Sequence, residues 1–182
     1  MKPLDEITLS SESVFDGALL HVKADRVRLH NGHETKREYI VHCGAACVVA
    51  ILDNGNLVFE RQYRYPLRRA FIELPAGKID PDEAPLATAQ RELYEETGYV
   101  AEHWEHLMTM HPCIGYSDER IEMFLAYGLE LREFERPAEE SLEVFELSLG
   151  EALAWLAEGK ISDAKTVIGI LLLQRRRALE NQ

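Results

Sequence analysis

The stretch from Gly77 to Val100, GKIDPDEAPLATAQRELYEETGYV, sets Glu83, Glu92, Glu95 and Glu96 around a single Arg91. On a helix, where each residue turns by about 100°, Glu92, Glu95 and Glu96 share one side. Leu86, Ala89 and Leu93 recur at the spacing of a buried stripe on the other. Like charges one turn apart destabilise a helix by roughly 0.2–0.5 kcal/mol per pair. Arg91 offsets Glu95 at i+4 only in the weaker orientation. A solvated acidic face accounts for the composition as it stands. The preceding loop, ELPAGKIDPDE, points to a use for the acid, because a strand ending at a glycine leaves backbone carbonyls beside the carboxylates. Hard divalent cations take such oxygen donors, and Mg²⁺ combines one or two carboxylates with waters and substrate phosphate oxygens. This donor set therefore suits Mg²⁺, with Mn²⁺ as a substitute, acting on a phosphorylated substrate.

The 182-residue chain carries a net charge of −12, which opposes nonspecific binding to nucleic acid. Against that background RQYRYPLRR gathers Arg61, Arg64, Arg68 and Arg69, which form either a solvated loop or an anion-binding rim. The aliphatic run VIGILLL is too short to span a bilayer, and the N-terminal residues lack an apolar signal core. The expectation is a cytoplasmic protein with no membrane partner. Cys43, Cys47 and Cys113 show no CxxC spacing and are expected as reduced, buried side chains. The pairs His30/His33 and His103/His106 lack the carboxylates and helical context of a zinc site.

The elements that must position these residues are hairpins and three helices. GALLHVKADRVRL and KREYIVH flank an Asn31-Gly32 turn and predict an N-terminal β-ribbon over about residues 14 to 42. AACVVAIL predicts a strand buried on both faces, paired in a second hairpin with NLVFERQY. AFIELPAG predicts one short strand, and a helix follows from Pro85 to Thr97, closed by Gly98. WEHLMTMHP, IEMFLAYGLEL and LEVFELSL predict further strands. GEALAWLAEGK and DAKTVIGILLLQRRRALE predict the closing helices. The class is α+β, with residues 1–43 as a ribbon domain and 44–182 as the main domain.

Gly77, five residues, Glu83, seven residues and then RELYEETGY resembles the Nudix box, GX5EX7REUXEEXGU, with every fixed position filled. The resemblance implies an α/β/α sandwich with a mixed sheet, and hydrolysis of a nucleoside diphosphate linked to another group. It implies Glu92 and Glu96 as metal ligands, Glu95 as an added one, and the carbonyl of Ala76 completing the set. Glu83 and Arg91 resemble the ion pair that locks loop to helix. REYIVHCGAACVVAI, ERQYR, IELPAGKID and GKISDAKTV together resemble the ADP-ribose pyrophosphatase branch, which splits ADP-ribose into AMP and ribose 5-phosphate.

By that likeness Arg64 touches the diphosphate, Arg37 and Glu38 reach the ligand from the ribbon, and Glu119 meets the ligand or a partner subunit. The likeness also implies a homodimer in which the ribbon is exchanged. The branch usually takes its base from a late acidic loop, here ERPAEESLEVF, so Glu139 and Glu140 are the candidates alongside Glu95. One loop departs from the pattern: HPCIGYSDE has its proline at Pro112, where the branch places it at the position of Ile114. Other nucleotide sugars, such as GDP-mannose, therefore stand as alternative substrates. A non-catalytic ADP-ribose sensor is the more distant alternative, since such modules usually lose box glutamates that this chain keeps.

Overall fold

The computed structural model describes residues 4–135 and 141–180. The chain divides into two compact units. The first joins the chain up to Cys43 with His111–Arg120; the second joins Gly44–Met110 with the chain from Ile121 onward.

In the first unit three strands form an antiparallel sheet: β1 (Ile7–Asp16), β2 (His21–Arg28) and β3 (Glu34–Val41). β2 and β3 are the predicted ribbon, turning at Gly32 with φ 84°. β1 is an addition. Every one of its residues is exposed, including Ile7, Val14 and Phe15. A strand with no buried face shows no alternation in its sequence, which is why ITLSSES reads as a polar leader. The segment 111–120 attaches by long-range hydrogen bonds that no local pattern announces. Ile40 N donates to Tyr116 O at 2.8 Å, and His42 N donates to the Asp118 carboxylate at 2.7 Å.

The second unit is built around β4 (Ala45–Ile51), whose residues are buried on both faces as its unbroken apolar run requires. Six strands extend its sheet: β5 (Leu57–Arg64), β6 (Arg69–Glu73), β7 (Ala76–Lys78), β8 (Tyr99–Met110), β9 (Ile121–Leu131) and β10 (Leu142–Leu147). The main path runs β10-β5-β4-β9-β8, with β6 on β5 and β7 on β4. β4 and β9 are parallel and the other pairs antiparallel, so the sheet is mixed.

Three helices cover its faces: α1 (Pro85–Thr97), α2 (Leu149–Ala157) and α3 (Ala164–Glu180). Ala46, Val48 and Ala50 of β4 pack with Ala89 and Leu93 of α1. Cys47 and Val49 face the opposite layer, with Ala152 of α2 and Ile170 and Leu173 of α3. This is the α/β/α sandwich. Among the described residues no helix is long and apolar enough to cross a membrane.

Four local expectations are corrected. AFIELPAG is two strands, since Pro75 ends β6 and β7 then pairs with β4 at Ala45–Cys47. The hairpin of β4 and β5 closes only at Ile51 and Leu57, and the two strands part beyond it. Leu86 stands 39% exposed, so the buried stripe of α1 begins at Ala89. Of the cysteines, all three free, only Cys47 is buried, while Cys43 is exposed.

Gly98 ends α1 with φ 78°, and its N–H donates to Tyr94 O at 2.8 Å. A Cβ there would also lie 2.4 Å from the Phe134 ring. Gly98→Ala is expected to destabilise the fold by about 1–2 kcal/mol through left-handed strain and ring displacement, read from denaturant unfolding.

Candidate active site

Pro75 and Gly77 shape the strand side of the site, and α1 supplies the helix side. Pro75 closes β6 and its carbonyl accepts from Val48 N at 2.9 Å, which turns the chain onto β4. Two carboxylates from successive turns of α1 then settle on β7. Glu96, 4% exposed, accepts a hydrogen bond from Ala76 N at 3.0 Å. Glu92 lies where a side chain on Gly77 would begin, since an added Cβ would fall 1.9 Å from its carboxyl carbon. Glycine is needed here for that close approach.

Arg91 ties the loop to the helix. Its Nε and Nη2 donate to both oxygens of Glu83, at 3.0 and 2.9 Å. Nη2 also donates to Lys78 O at 3.2 Å, and Nη1 donates to Glu92 at 2.8 Å and Glu95 at 3.0 Å. Glu83 receives the Thr88 hydroxyl as well, at 2.8 Å. Hydrogen bonds from Arg91, then from Thr88, hold the Glu83 carboxyl down at about 2. The same pairing raises the Arg91 guanidinium above its ordinary value.

A second charged constellation gathers where β5 pairs with β6. Arg64 grips Glu73 with Nε and Nη2 at 2.6 and 2.8 Å. The Lys165 ammonium reaches the same carboxylate and donates to Asp163 at 3.0 Å. Asp163 caps α3, accepting from Thr166 N at 3.1 Å and Thr166 Oγ1 at 2.7 Å. Burial alone would raise the Glu73 carboxyl, but Arg64 and Lys165 outweigh it and bring it below its usual value. The Arg64 field also reaches Glu96, which links the two groups of charges. Sequence reasoning missed Glu73, Asp163 and Lys165. Asp163 three residues before Thr166 is a legible cap, but the Lys165–Glu73 contact joins residues 92 positions apart.

The fold thus brings Ala76, Gly77, Glu83, Arg91, Glu92, Glu95 and Glu96 together, with Arg64 in electrostatic reach. Arg37, Glu38 and Glu119 belong to the first unit. There Arg37 forms a two-pronged pair with Glu6 at 3.0 and 2.7 Å, Glu38 stands opposite Ala24, and the Glu119 carboxylate lies 3.9 Å from His42. Glu139 and Glu140 lie outside the described residues.

The donors at the helix–strand contact are all oxygens, as a hard divalent cation requires. Among the described residues no three His, Cys, Asp or Glu side chains enclose a cation by themselves. The carboxylates of Glu92 and Glu96 beside β7 fit a hard divalent cation, with waters or phosphate oxygens filling the remainder. Glu92 and Glu95 then have to be shared with Arg91.

Residues 41–168 match the NUDIX domain, and residues 6–40 match the nucleoside diphosphate sugar hydrolase N-terminal domain. The chain is 39% identical over 184 residues to an ADP-ribose pyrophosphatase of Bacillus subtilis (strain 168), covering 100% of both proteins. It is likewise 39% identical over 183 residues to a methanol dehydrogenase activator of Bacillus methanolicus, covering 100% of this chain and 99% of that one. A solved structure described as an ADP compounds hydrolase superposes with a TM-score of 0.86 at 22% identity, covering 99% of this chain and 98% of that one.

Because the Glu83 carboxyl lies below its unfolded value of about 4.5, its pairing stabilises fully above that pH and is lost as pH falls toward about 2. Glu83→Gln is expected to lower the melting temperature at neutral pH. It should also flatten the fall in melting temperature between those two pH values. Parallel acid limbs for the variant and the parent would contradict the assignment.

Proposed function

We propose that this chain, which belongs to the Nudix family, hydrolyses the diphosphate linkage of ADP-ribose to give AMP and ribose 5-phosphate. The observation that carries this reading is the seating of Glu92 on Gly77 and of Glu96 on Ala76 N–H, which sets oxygen donors of helix and strand side by side. The full-length likeness to an ADP-ribose pyrophosphatase supports the substrate.

Glu92, Glu96 and the Ala76 carbonyl are the residues that would hold Mg²⁺, with Glu95 beside them. Bound Mg²⁺ neutralises charge on the diphosphate and makes a nearby water more acidic. The rest of the work falls to side chains. Arg64 commits two N–H groups to Glu73 and keeps further donors for a phosphate oxygen. Its grip on Glu73 fixes the guanidinium before substrate arrives, which lowers the ordering cost of binding. Arg91 holds Glu92 and Glu95 on the loop side. A carboxylate accepts the proton of the attacking water as one phosphorus–oxygen bond forms and the bond to the bridging oxygen breaks. Glu139 and Glu140 are our candidates for that base, with Glu95 the third. Arg37, Glu38 and Glu119 complete the ligand contacts in this reading.

The same proposal includes a homodimer and a cytoplasmic location. The exposed Ile7, Val14 and Phe15 of β1 give the N-terminal sheet apolar side chains that a second copy would cover. Each site would then take Arg37 from the partner's ribbon.

Hydrolysis of a panel of nucleoside diphosphate sugars with Mg²⁺ tests the activity. ADP-ribose should turn over fastest, and Glu92→Gln and Glu96→Gln should each lower kcat by about 10²-fold or more with the fold intact. Faster turnover of GDP-mannose would replace the substrate, and full activity in both variants would remove the site.

Mixing Arg37→Ala with Glu92→Gln protein tests the shared site. If each variant is inactive alone, subunit exchange is expected to restore up to about a quarter of the parent activity in closed two-fold dimers. A monomer by sedimentation, or no recovery after proven exchange, would overturn it.

A further inference from the structure

Glu60 occupies the middle of β5 with none of its surface exposed. Both of its carboxylate oxygens lack a hydrogen-bond partner among the described residues. The strand pairing sets Glu60 directly opposite Glu73, and its carboxyl also lies against that of Glu96. The cations nearby are already committed, since Arg64 and Lys165 both bond Glu73 and Lys165 bonds Asp163 too.

Glu60, Glu73, Glu96 and Asp163 therefore set four carboxylates against two cations. A carboxylate buried without donors is among the costliest groups a fold can carry. Two buried carboxyls in contact need either a proton or a cation between them. The excess of negative charge equals that of one divalent cation, and the oxygen donors suit a hard one.

We propose that Glu60 is a further ligand for a divalent cation, supplied from the sheet and acting with Glu96 from the helix. The ion it helps hold sits at the seam between β5 and α1. The inference rests on the reading of Glu92 and Glu96 as cation ligands and adds a residue outside the helix segment that carries them. Ligation requires Glu60 and Glu96 to turn toward one point, as the described side chains do not yet enclose one. Glu96 keeps its anchor on Ala76 N–H during such a turn through Oε2.

The test is Mn²⁺ binding to the substrate-free protein, read by the loss of the free-ion electron paramagnetic resonance signal, so turnover plays no part. Glu60→Gln keeps the shape and removes the charge. It is expected to weaken Mn²⁺ binding by about tenfold or more, or to lower the number of ions bound. Glu92→Gln and Glu96→Gln are measured alongside. Unchanged Mn²⁺ binding in Glu60→Gln, with losses in the other two, overturns this inference and leaves the proposed function standing. Unchanged binding in all three overturns both. If Glu60→Gln fails to fold, anomalous diffraction from parent crystals soaked in Mn²⁺ decides. An ion about 2.1 Å from a Glu60 oxygen supports the assignment, and Glu60 outside every coordination sphere overturns it.

Discussion

Arg91 makes hydrogen bonds to Glu83, Glu92, Glu95 and the Lys78 carbonyl, and through them one guanidinium joins strand, loop and helix. Without it, three glutamates on one side of a short helix would repel one another and the loop from Ile79 to Ala84 would have little to hold it. With it, α1 is fixed in rotation and height over β7. That register decides which backbone atoms lie under which carboxylate. It brings Glu92 onto Gly77 and Glu96 onto Ala76. A planar five-donor group is suited to this task, because a lysine ammonium lacks the fork that grips Glu83 with two parallel bonds.

The parting of β4 and β5 gives this register something to act on. β5 leaves β4 after a single close pair and turns to β6, while β7 takes the vacated edge of β4. Polar groups also enter the core of this unit. Here they enter in number: Glu60, Glu73, Thr166 and Glu96 are all buried. Most are matched by local partners, as Glu73 is by Arg64 and Lys165 and Thr166 is by Asp163. The sandwich around them is made rigid by apolar residues of β4 that alternate between α1 and the layer of α2 and α3. Charge is thus concentrated within a scaffold packed by apolar residues on both faces of β4, an arrangement suited to preorganised electrostatics.

Much of this was written in local sequence. Pro85 and Gly98 bound α1 because a proline suits a first turn and a glycine tolerates the left-handed cap. AACVVAI declares a strand with two buried faces, and the spacing of Gly77, Glu83 and Arg91 through Glu96 points to the proposed site and its oxygen donors. Each of these signals lies within one element or one loop, so periodicity and residue type suffice to read it. What only the tertiary structure decided is long-range. β1 carries no buried face, the 111–120 segment bonds β3 far from it in sequence, and Lys165 meets Glu73 across 92 positions. Glu60 follows an apolar run, Leu57 to Phe59, where a glutamate reads as the end of a buried stretch. Its place beside Glu73 and Glu96 follows from strand register and helix height together, and neither is encoded in a residue's neighbours along the chain.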